Sequence, residues 1–170
     1  ADCSAMLVDL HAVLRSYPGD LPLLAPAVID IPHWLAMLDR AGDVLSGADV
    51  DLLRAAGERL APFVEAASGN LRPLHGDAHP SNLIATRDGL VWIDFEEVCR
   101  GPVEWDFATI MDAGAVAAHH RPDPAVLARC TEARMMQVAL VLTALSDIFG
   151  DVEGWDAGIR GSLDMLAAEV

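Results

Sequence analysis

Three side chains near the middle of the chain are spaced as a proton acceptor and two metal ligands would be. Asp77 follows His75-Gly76, Asn82 closes the same short stretch, and Asp94 comes after a hairpin pattern. A carboxylate within hydrogen-bond reach of a hydroxyl can take its proton. An amide oxygen and a second carboxylate are hard donors of the kind magnesium prefers, with waters and phosphate oxygens completing the octahedron. Together they read as a general base beside a magnesium site. On the plainer reading, Asp77 caps a turn and Asn82 is a turn residue that opens a strand.

The flanking residues suggest how these groups are positioned. Leu71 and Leu74 lead into His75, Gly76 lets the backbone turn sharply beside Asp77, and Pro80 stiffens the loop that follows. Asn82–Thr86 and Leu90–Ile93 are β-prone runs, and the Asp88-Gly89 pair between them predicts a two-residue hairpin turn. Such a hairpin returns Asp94, at the end of its second strand, to Asn82 at the start of its first. Glu96 and Glu97 follow directly and read as contacts for a second magnesium or a substrate amine, or as a solvated acidic rim. Glu97 to Glu104 reads as a loop around Gly101-Pro102, and Asp106 sits at the start of a helix predicted from Trp105 to His119.

The ordered wording His75-Gly76-Asp77-x-His79-Pro80-x-Asn82, then Ile93-Asp94-Phe95-Glu96, then Gly101-Pro102-x-x-x-Asp106-Phe107-Ala108 resembles the aminoglycoside phosphotransferase family. That family comprises kinase-like enzymes acting on aminoglycosides, choline, homoserine, sugars and related small molecules. His75-x-Asp77-x4-Asn82 is similar to a kinase catalytic loop, and Asp94-Phe95 stands where Asp-Phe-Gly begins. The resemblance implies an α+β, mainly α fold: the C-terminal lobe of a protein-kinase-like enzyme with a short β-hairpin at its catalytic loop. It implies Asp77 as catalytic base, Asn82 and Asp94 as ligands of Mg2+ and hence of the bound nucleotide, and ATP or GTP as phosphoryl donor. It further implies that His75 orders the loop backbone and that Asp106 holds the loop through hydrogen bonds, where a bare helix-start charge is the alternative. His79 is left between loop packing and substrate contact.

Composition bounds the partners. The chain has 170 residues, 53% of them hydrophobic and 5% aromatic, enough for one domain with a real core. Its formal net charge of -15 argues against nucleic acid or an anionic membrane and suits a small cationic, hydroxylated substrate, or serves solubility alone. All 11 basic residues are arginine, and neither a Gly-x-Gly-x-x-Gly nor a Walker A sequence occurs. Kinases hold nucleotide phosphates with a lysine and a glycine-rich cover. The expectation is therefore that residues 1–170 are the catalytic-loop and substrate lobe alone, that an N-terminal nucleotide-gripping lobe is absent from this chain, and that the chain is inactive by itself. An apolar face left beside the cleft would suit a homodimer.

Cys3, Cys99 and Cys130 form no Cys-x-x-Cys pair and read as reduced thiols of a cytoplasmic protein. The apolar run from Met135 to Ser146 is too short to span a membrane. Helices are predicted over Ala5–Tyr17, from Pro32 to near Gly42, from Ser46–Asp49 to about Ala67 with a kink or break at Pro62, over Ala125–Phe149, and over Trp155–Ala168. His11 is expected on a helix flank.

Two other classes fit part of the pattern. His75, Asp77 and His79 alternate, so an extended strand would point them one way as ligands of a hydrolytic metal centre. Gly76 and Pro80 favour a bend instead, and His119-His120 beside a proline-rich turn look exposed. A kinase-like lobe used as a non-catalytic binding module is the remaining alternative.

Overall fold

A computed structural model describes residues 3–39, 44–66, 71–110, 121–150 and 152–168. Helices α1 (Cys3–Leu14), α2 (Leu24–Ala27), α3 (Ile31–Leu38) and α4 (Gly47–Ala66) precede strand β1 (Arg72–Leu74). A 3-10 turn at Pro80–Asn82 leads into β2 (Leu83–Thr86), β3 (Gly89–Trp92) and β4 (Cys99–Gly101). Helices α5 (Glu104–Ala108), α6 (Pro124–Phe149) and α7 (Trp155–Ala167) follow. The chain divides into two compact units, residues 1–28 with 66–131 and residues 29–65 with 132–170. All the sequence-predicted site residues lie in the first.

In the first unit, α1 buries Ser4, Leu7 and His11, which fall on one face at helical spacing. Leu7 joins Ala78 and Phe107 in a buried cluster, with Val8, Leu10, Trp92, Val103, Ile110 and Leu127 packed around it. The core thus draws on the loop after Gly76 and on α5, so the site and the core share residues. His11 is buried, not on the flank as its sequence position suggested.

Two small antiparallel sheets carry the loop. β1 pairs with β4 in the register Arg72↔Gly101, Pro73↔Arg100 and Leu74↔Cys99, where a plain loop was expected. Three-residue strands are too short to show periodicity, and their pairing is non-local. Arg100 also donates its N–H to Pro22 O at 2.8 Å, which brings the segment before α2 onto β4. β2 pairs with β3 in the register Leu83↔Trp92 to Thr86↔Gly89.

The hairpin turn is therefore Arg87-Asp88, one residue earlier than Asp88-Gly89. Gly89 is the first paired residue of β3, at φ +127°. Thr86 Oγ1 accepts from Asp88 N at 3.2 Å and donates to Gly89 O at 2.7 Å, so a side chain closes the turn. Asn82 ends the 3-10 turn instead of opening β2, because His79 caps that turn and Pro80 starts it. Asp94 likewise lies two residues past the end of β3. Of the helix expected from Trp105 to His119, α5 accounts for the start, and residues 111–120, with His119-His120, lie outside the described residues.

In the second unit, Asp30 caps α3 by accepting from His33 N at 3.0 Å, with Pro32 in the first turn. Ser46 and Asp49 cap α4 reciprocally: Ser46 N donates to Asp49 Oδ2 at 3.1 Å and Asp49 N to Ser46 Oγ at 3.2 Å. Of the kink or break expected at Pro62, no break occurs: the helix runs on through it, although proline there removes one backbone bond and crowds the carbonyl of Glu58. Trp34, Leu38, Leu53, Leu60, Met136, Leu140, Leu163 and Leu166 are buried. Arg59 pairs with the buried Glu132 at 2.8 Å, tying α4 to α6. A Cβ on Gly158 would meet Leu142 Cδ1 at 2.7 Å, so glycine lets α7 approach α6 closely. Among the described residues no helix is long and apolar enough to cross a membrane.

Asp49 also accepts from Arg160 at 2.9 Å, linking the start of α4 to α7. The Arg160 guanidinium, and then the Ser46 hydroxyl, hold the Asp49 carboxyl below its ordinary value of 3.8. A depressed carboxyl contributes stability that is present above its unfolded value and lost as pH falls through its folded one. Asp49→Asn should lower the melting temperature at pH 7 by about 2 °C. Below the ordinary aspartate value the gap from the parent should close. Thermal melts at pH 7 and pH 3 check this, and an equal gap at both would exclude a charge effect.

Candidate active site

The loop from His75 to Asn82 is held from beneath by one buried carboxylate. Asp106, in the first turn of α5, is fully buried. Its Oδ2 accepts from His75 N at 2.9 Å and its Oδ1 from Gly76 N at 2.9 Å. His11 Nε2 reaches Oδ2 at 2.7 Å. Three donors offset the desolvation of the carboxylate.

Trp105 on α5 and Thr109 at its C-terminal cap fix the next peptides. Trp105 Nε1 donates to Gly76 O at 2.6 Å, and Thr109 Oγ1 lies 2.6 Å from Ala78 O. Gly76 itself has φ +91°, and a Cβ there would fall 2.0 Å from Glu97 O. Only glycine fits both the left-handed turn and the strand-side backbone pressed against it.

His75 is a second anchor. Its buried ring packs against Phe95 (centroids 4.6 Å apart) and Trp92 (5.4 Å). Nδ1 accepts from Asp77 N at 3.3 Å and Nε2 donates to Ile93 O at 2.9 Å, which sets the Nε2–H tautomer. Both ring nitrogens are thus turned to backbone. His75, Asp77 and His79 do not line one face, because the left-handed Gly76 breaks the alternation. Among the described residues no group of three or more His, Cys, Asp or Glu side chains could hold a metal ion. The hydrolytic metal centre has no basis in this geometry.

Asp77 and Asn82 are brought together. Asn82 Nδ2 donates to Asp77 O at 2.9 Å and to Asp77 Oδ2 at 3.1 Å, using both amide hydrogens and turning the amide oxygen away from the carboxylate. Asp77 is half-buried and Asn82 is buried. Asn82 O accepts from Ile93 N at 3.0 Å, so the residue before Asp94 is gripped at both ends of its backbone. Asp94 then takes a left-handed conformation, φ 64°, with its side chain at the surface. A non-glycine residue held there is strained, and such strain gathers at functional sites.

Glu96 is exposed and Glu97 half-buried, Glu97 lying against Gly76 through its backbone. His11, Trp105 and Thr109, which sequence reasoning did not single out, support the loop. The signal for His11 was present: a histidine four residues after Leu7, on the apolar face of α1, must find a buried partner.

This arrangement sets a rigidly held loop and hairpin on a mainly helical, kinase-like α+β fold. The sequence profile of the phosphotransferase enzyme family matches residues 1–136, and the chain belongs to that family. A search of curated proteins found no match to the sequence.

Solved structures share the fold. Choline kinase LicA from Streptococcus pneumoniae superposes with a TM-score of 0.70 at 14% identity, over 98% of this chain and 63% of that one. A choline/ethanolamine kinase family protein from Mesorhizobium loti gives 0.69 at 17% identity, over 98% and 60%. A glucosamine kinase in complex with glucosamine, ADP and inorganic phosphate gives 0.60 at 17%, over 98% and 53%. The chain therefore spans under two thirds of the length of these proteins.

Replacing Asp106 by Ala would strand two buried backbone N–H groups and the His11 imidazole. The expected loss is about 3–5 kcal/mol, the scale for breaking a buried charged pair. Denaturant unfolding measures it. A loss below about 1 kcal/mol would mean that the loop is held by other contacts.

Proposed function

We propose that this chain is the C-terminal, catalytic-loop lobe of an ATP- or GTP-dependent phosphotransferase that phosphorylates a hydroxyl of a small molecule. An amine-bearing acceptor, an aminoglycoside or another amino alcohol or amino sugar, is favoured. The observation that carries the reading is the Asp77–Asn82 pair, held over the buried Asp106. The named acceptors of the structural neighbours, choline, ethanolamine and glucosamine, each join an amine or ammonium to a hydroxyl. The net charge of -15 suits such a cation and argues against nucleic acid as a partner. If the acceptor is an aminoglycoside, the activity would confer antibiotic resistance.

On this reading Asp77 orients the acceptor hydroxyl and takes its proton as the phosphoryl group moves in line. Asn82 and Asp94 would hold Mg2+. The donor set fits that ion, being an amide oxygen and an exposed carboxylate that leave most positions for waters and phosphates. When bound, the metal neutralises charge on the transferring phosphoryl group. Asp106, His75 and Gly76 do no chemistry; they keep the base from drifting, which is worth as much as positioning is worth to a bimolecular step. Glu96 and Glu97 stand beside the loop as candidate contacts for the acceptor amine.

The nucleotide phosphates also need a cationic grip. With no lysine in the sequence, that grip is assigned to an N-terminal lobe outside residues 1–170. Ile84, Val91, Ile93 and Phe95 are exposed apolar residues of the hairpin and the turn after it, which supports a covering partner there: that lobe with the nucleotide, or a second copy of the chain.

The test uses the protein with its N-terminal lobe, offered ATP or GTP with choline, ethanolamine, glucosamine and aminoglycosides. Asp77→Asn should lower kcat by about 10²-fold or more while nucleotide binding holds. Asp94→Asn should weaken magnesium-dependent nucleotide binding, and Asn82→Ala should do so less, because it removes no charge. Turnover by Asp77→Asn at the parent rate would remove Asp77 from the mechanism. A protein that binds these molecules and phosphorylates none would be a binding module instead.

Residues 1–170 alone should show no measurable phosphorylation and only weak nucleotide affinity. A coupled assay for ADP release checks this. Robust turnover by the lone chain would overturn the division of labour between two lobes.

A further inference from the structure

His79 lies in the proposed catalytic loop and caps its 3-10 turn, and nothing above gives its imidazole a part in the chemistry. Its Nε2 is 3.2 Å from Asp77 Oδ2, the same oxygen that takes the Asn82 amide at 3.1 Å. Its Nδ1 accepts from Ser81 N at 3.2 Å. With Nδ1 accepting from Ser81 N, a neutral ring carries its hydrogen on Nε2, the nitrogen that lies at ion-pair distance from the carboxylate. The backbone fixes the same residue twice more: His79 N donates to Asp77 O at 3.0 Å, and Asn82 N donates to His79 O at 2.9 Å. The 3-10 turn that His79 caps therefore holds the imidazole beside the carboxylate.

We propose that His79 is a positioning residue for the catalytic base, donating from Nε2 to Asp77 Oδ2 so that the carboxylate is clamped between an imidazole and an amide. The inference rests on the phosphotransferase reading, since only there does Asp77 act on a hydroxyl. An aspartate carboxylate turns easily about its terminal torsion, where the wells are broad. One donor on Oδ2 leaves the carboxylate plane free to pivot about that bond; two donors from different directions fix it. The carboxylate then meets the acceptor hydroxyl without first reorienting, which is where a small misplacement costs rate.

His79 does not relay the proton. Its Nε2 already carries hydrogen in the tautomer set by Ser81 N, and its Nδ1 is turned to that N–H. Nor is it a ligand for the acceptor by this geometry, because both nitrogens face the protein. The expected signature follows: loss of the ring slows turnover without loosening either substrate, and any side chain that returns a donor to the same place restores it. Glutamine can do so, since its amide nitrogen reaches about as far as Nε2 and does not titrate.

Two measurements test the proposal, one of them independent of activity. Imidazole nitrogen spectra should show His79 as the Nε2–H tautomer, and Asp77→Asn should shift the His79 signals while leaving those of His33 unchanged. In the protein with its N-terminal lobe and an acceptor it phosphorylates, His79→Leu should lower kcat at least tenfold, with both KM values within twofold of the parent. His79→Gln should recover most of the loss.

A His79 ring in the Nδ1–H tautomer, or His79→Leu turning over as the parent does, would overturn the proposal. So would a loss in His79→Leu that appears as raised acceptor KM, which would make the ring a substrate contact. If no acceptor is phosphorylated at all, the phosphotransferase reading fails. The spectra still decide whether His79 grips Asp77.

Discussion

The carboxylate of Asp106 is the contact on which the rest of the site depends. It is buried without exposure to water, yet it accepts from two consecutive backbone N–H groups and from the His11 ring. A buried acceptor facing a backbone that turns sharply admits few arrangements. The loop must present the N–H groups of His75 and Gly76 side by side, and only a left-handed residue at 76 then lets the chain leave. Glu97 O, 2.0 Å from a hypothetical Cβ, makes that residue glycine on steric grounds as well. Asp106 also sits on a helix that inserts Phe107 into the core of the first unit. Loop geometry is thereby coupled to the packing of the fold.

From that anchor the restraint passes outward through backbone groups. His75 carries it across to Ile93 O by its ring, and Asn82 O takes Ile93 N from the other side. Ile93 is gripped at both ends, and the strained turn at Asp94 follows within one residue. The other branch runs through Asp77 N and O to Asn82 and His79. The two acidic groups to which chemistry is assigned thus stand on short, separately pinned arms of one frame. A charged site gains most when its dipoles and donors are in place beforehand, because no reorganisation is then needed during reaction.

How much of this was legible in the sequence depended on whether the information was local. The loop wording from His75 to Asn82, the two hairpin strands and the helix-start Asp106 are short-range patterns, and the structure has them within a residue or two. The hairpin turn slipped by one because Thr86 closes it with its hydroxyl, an effect that a preference for Asp-Gly at turns does not capture. The β1–β4 pairing was invisible, since two three-residue strands far apart in sequence carry no periodicity. His11 was misjudged for a related reason. Its face of α1 could be read from spacing, but the carboxylate that makes its burial acceptable lies on α5, far along the chain. At Pro62 the break did not occur, because the packing of α4 outweighs the one backbone bond that proline removes.

Charge accounts for one further property of the proposed enzyme. Asp77, Asp94, Glu96 and Glu97 crowd the loop and the turn after β3, and the chain as a whole carries -15. Nucleotide phosphates approaching such a surface are repelled, and the repulsion strengthens as water is excluded. On the proposed reading a nucleotide would need a cation between its phosphates and this surface, which is the role proposed for Asn82 and Asp94. A cationic acceptor meets the opposite field and is drawn toward the same edge. In the proposed enzyme one acidic surface would thus treat the two substrates differently, admitting the donor as a metal complex and attracting a cationic acceptor directly. The arginine-only basic complement does not undo this, because a planar guanidinium is a poor stand-in for the compact ammonium that grips phosphates in kinases.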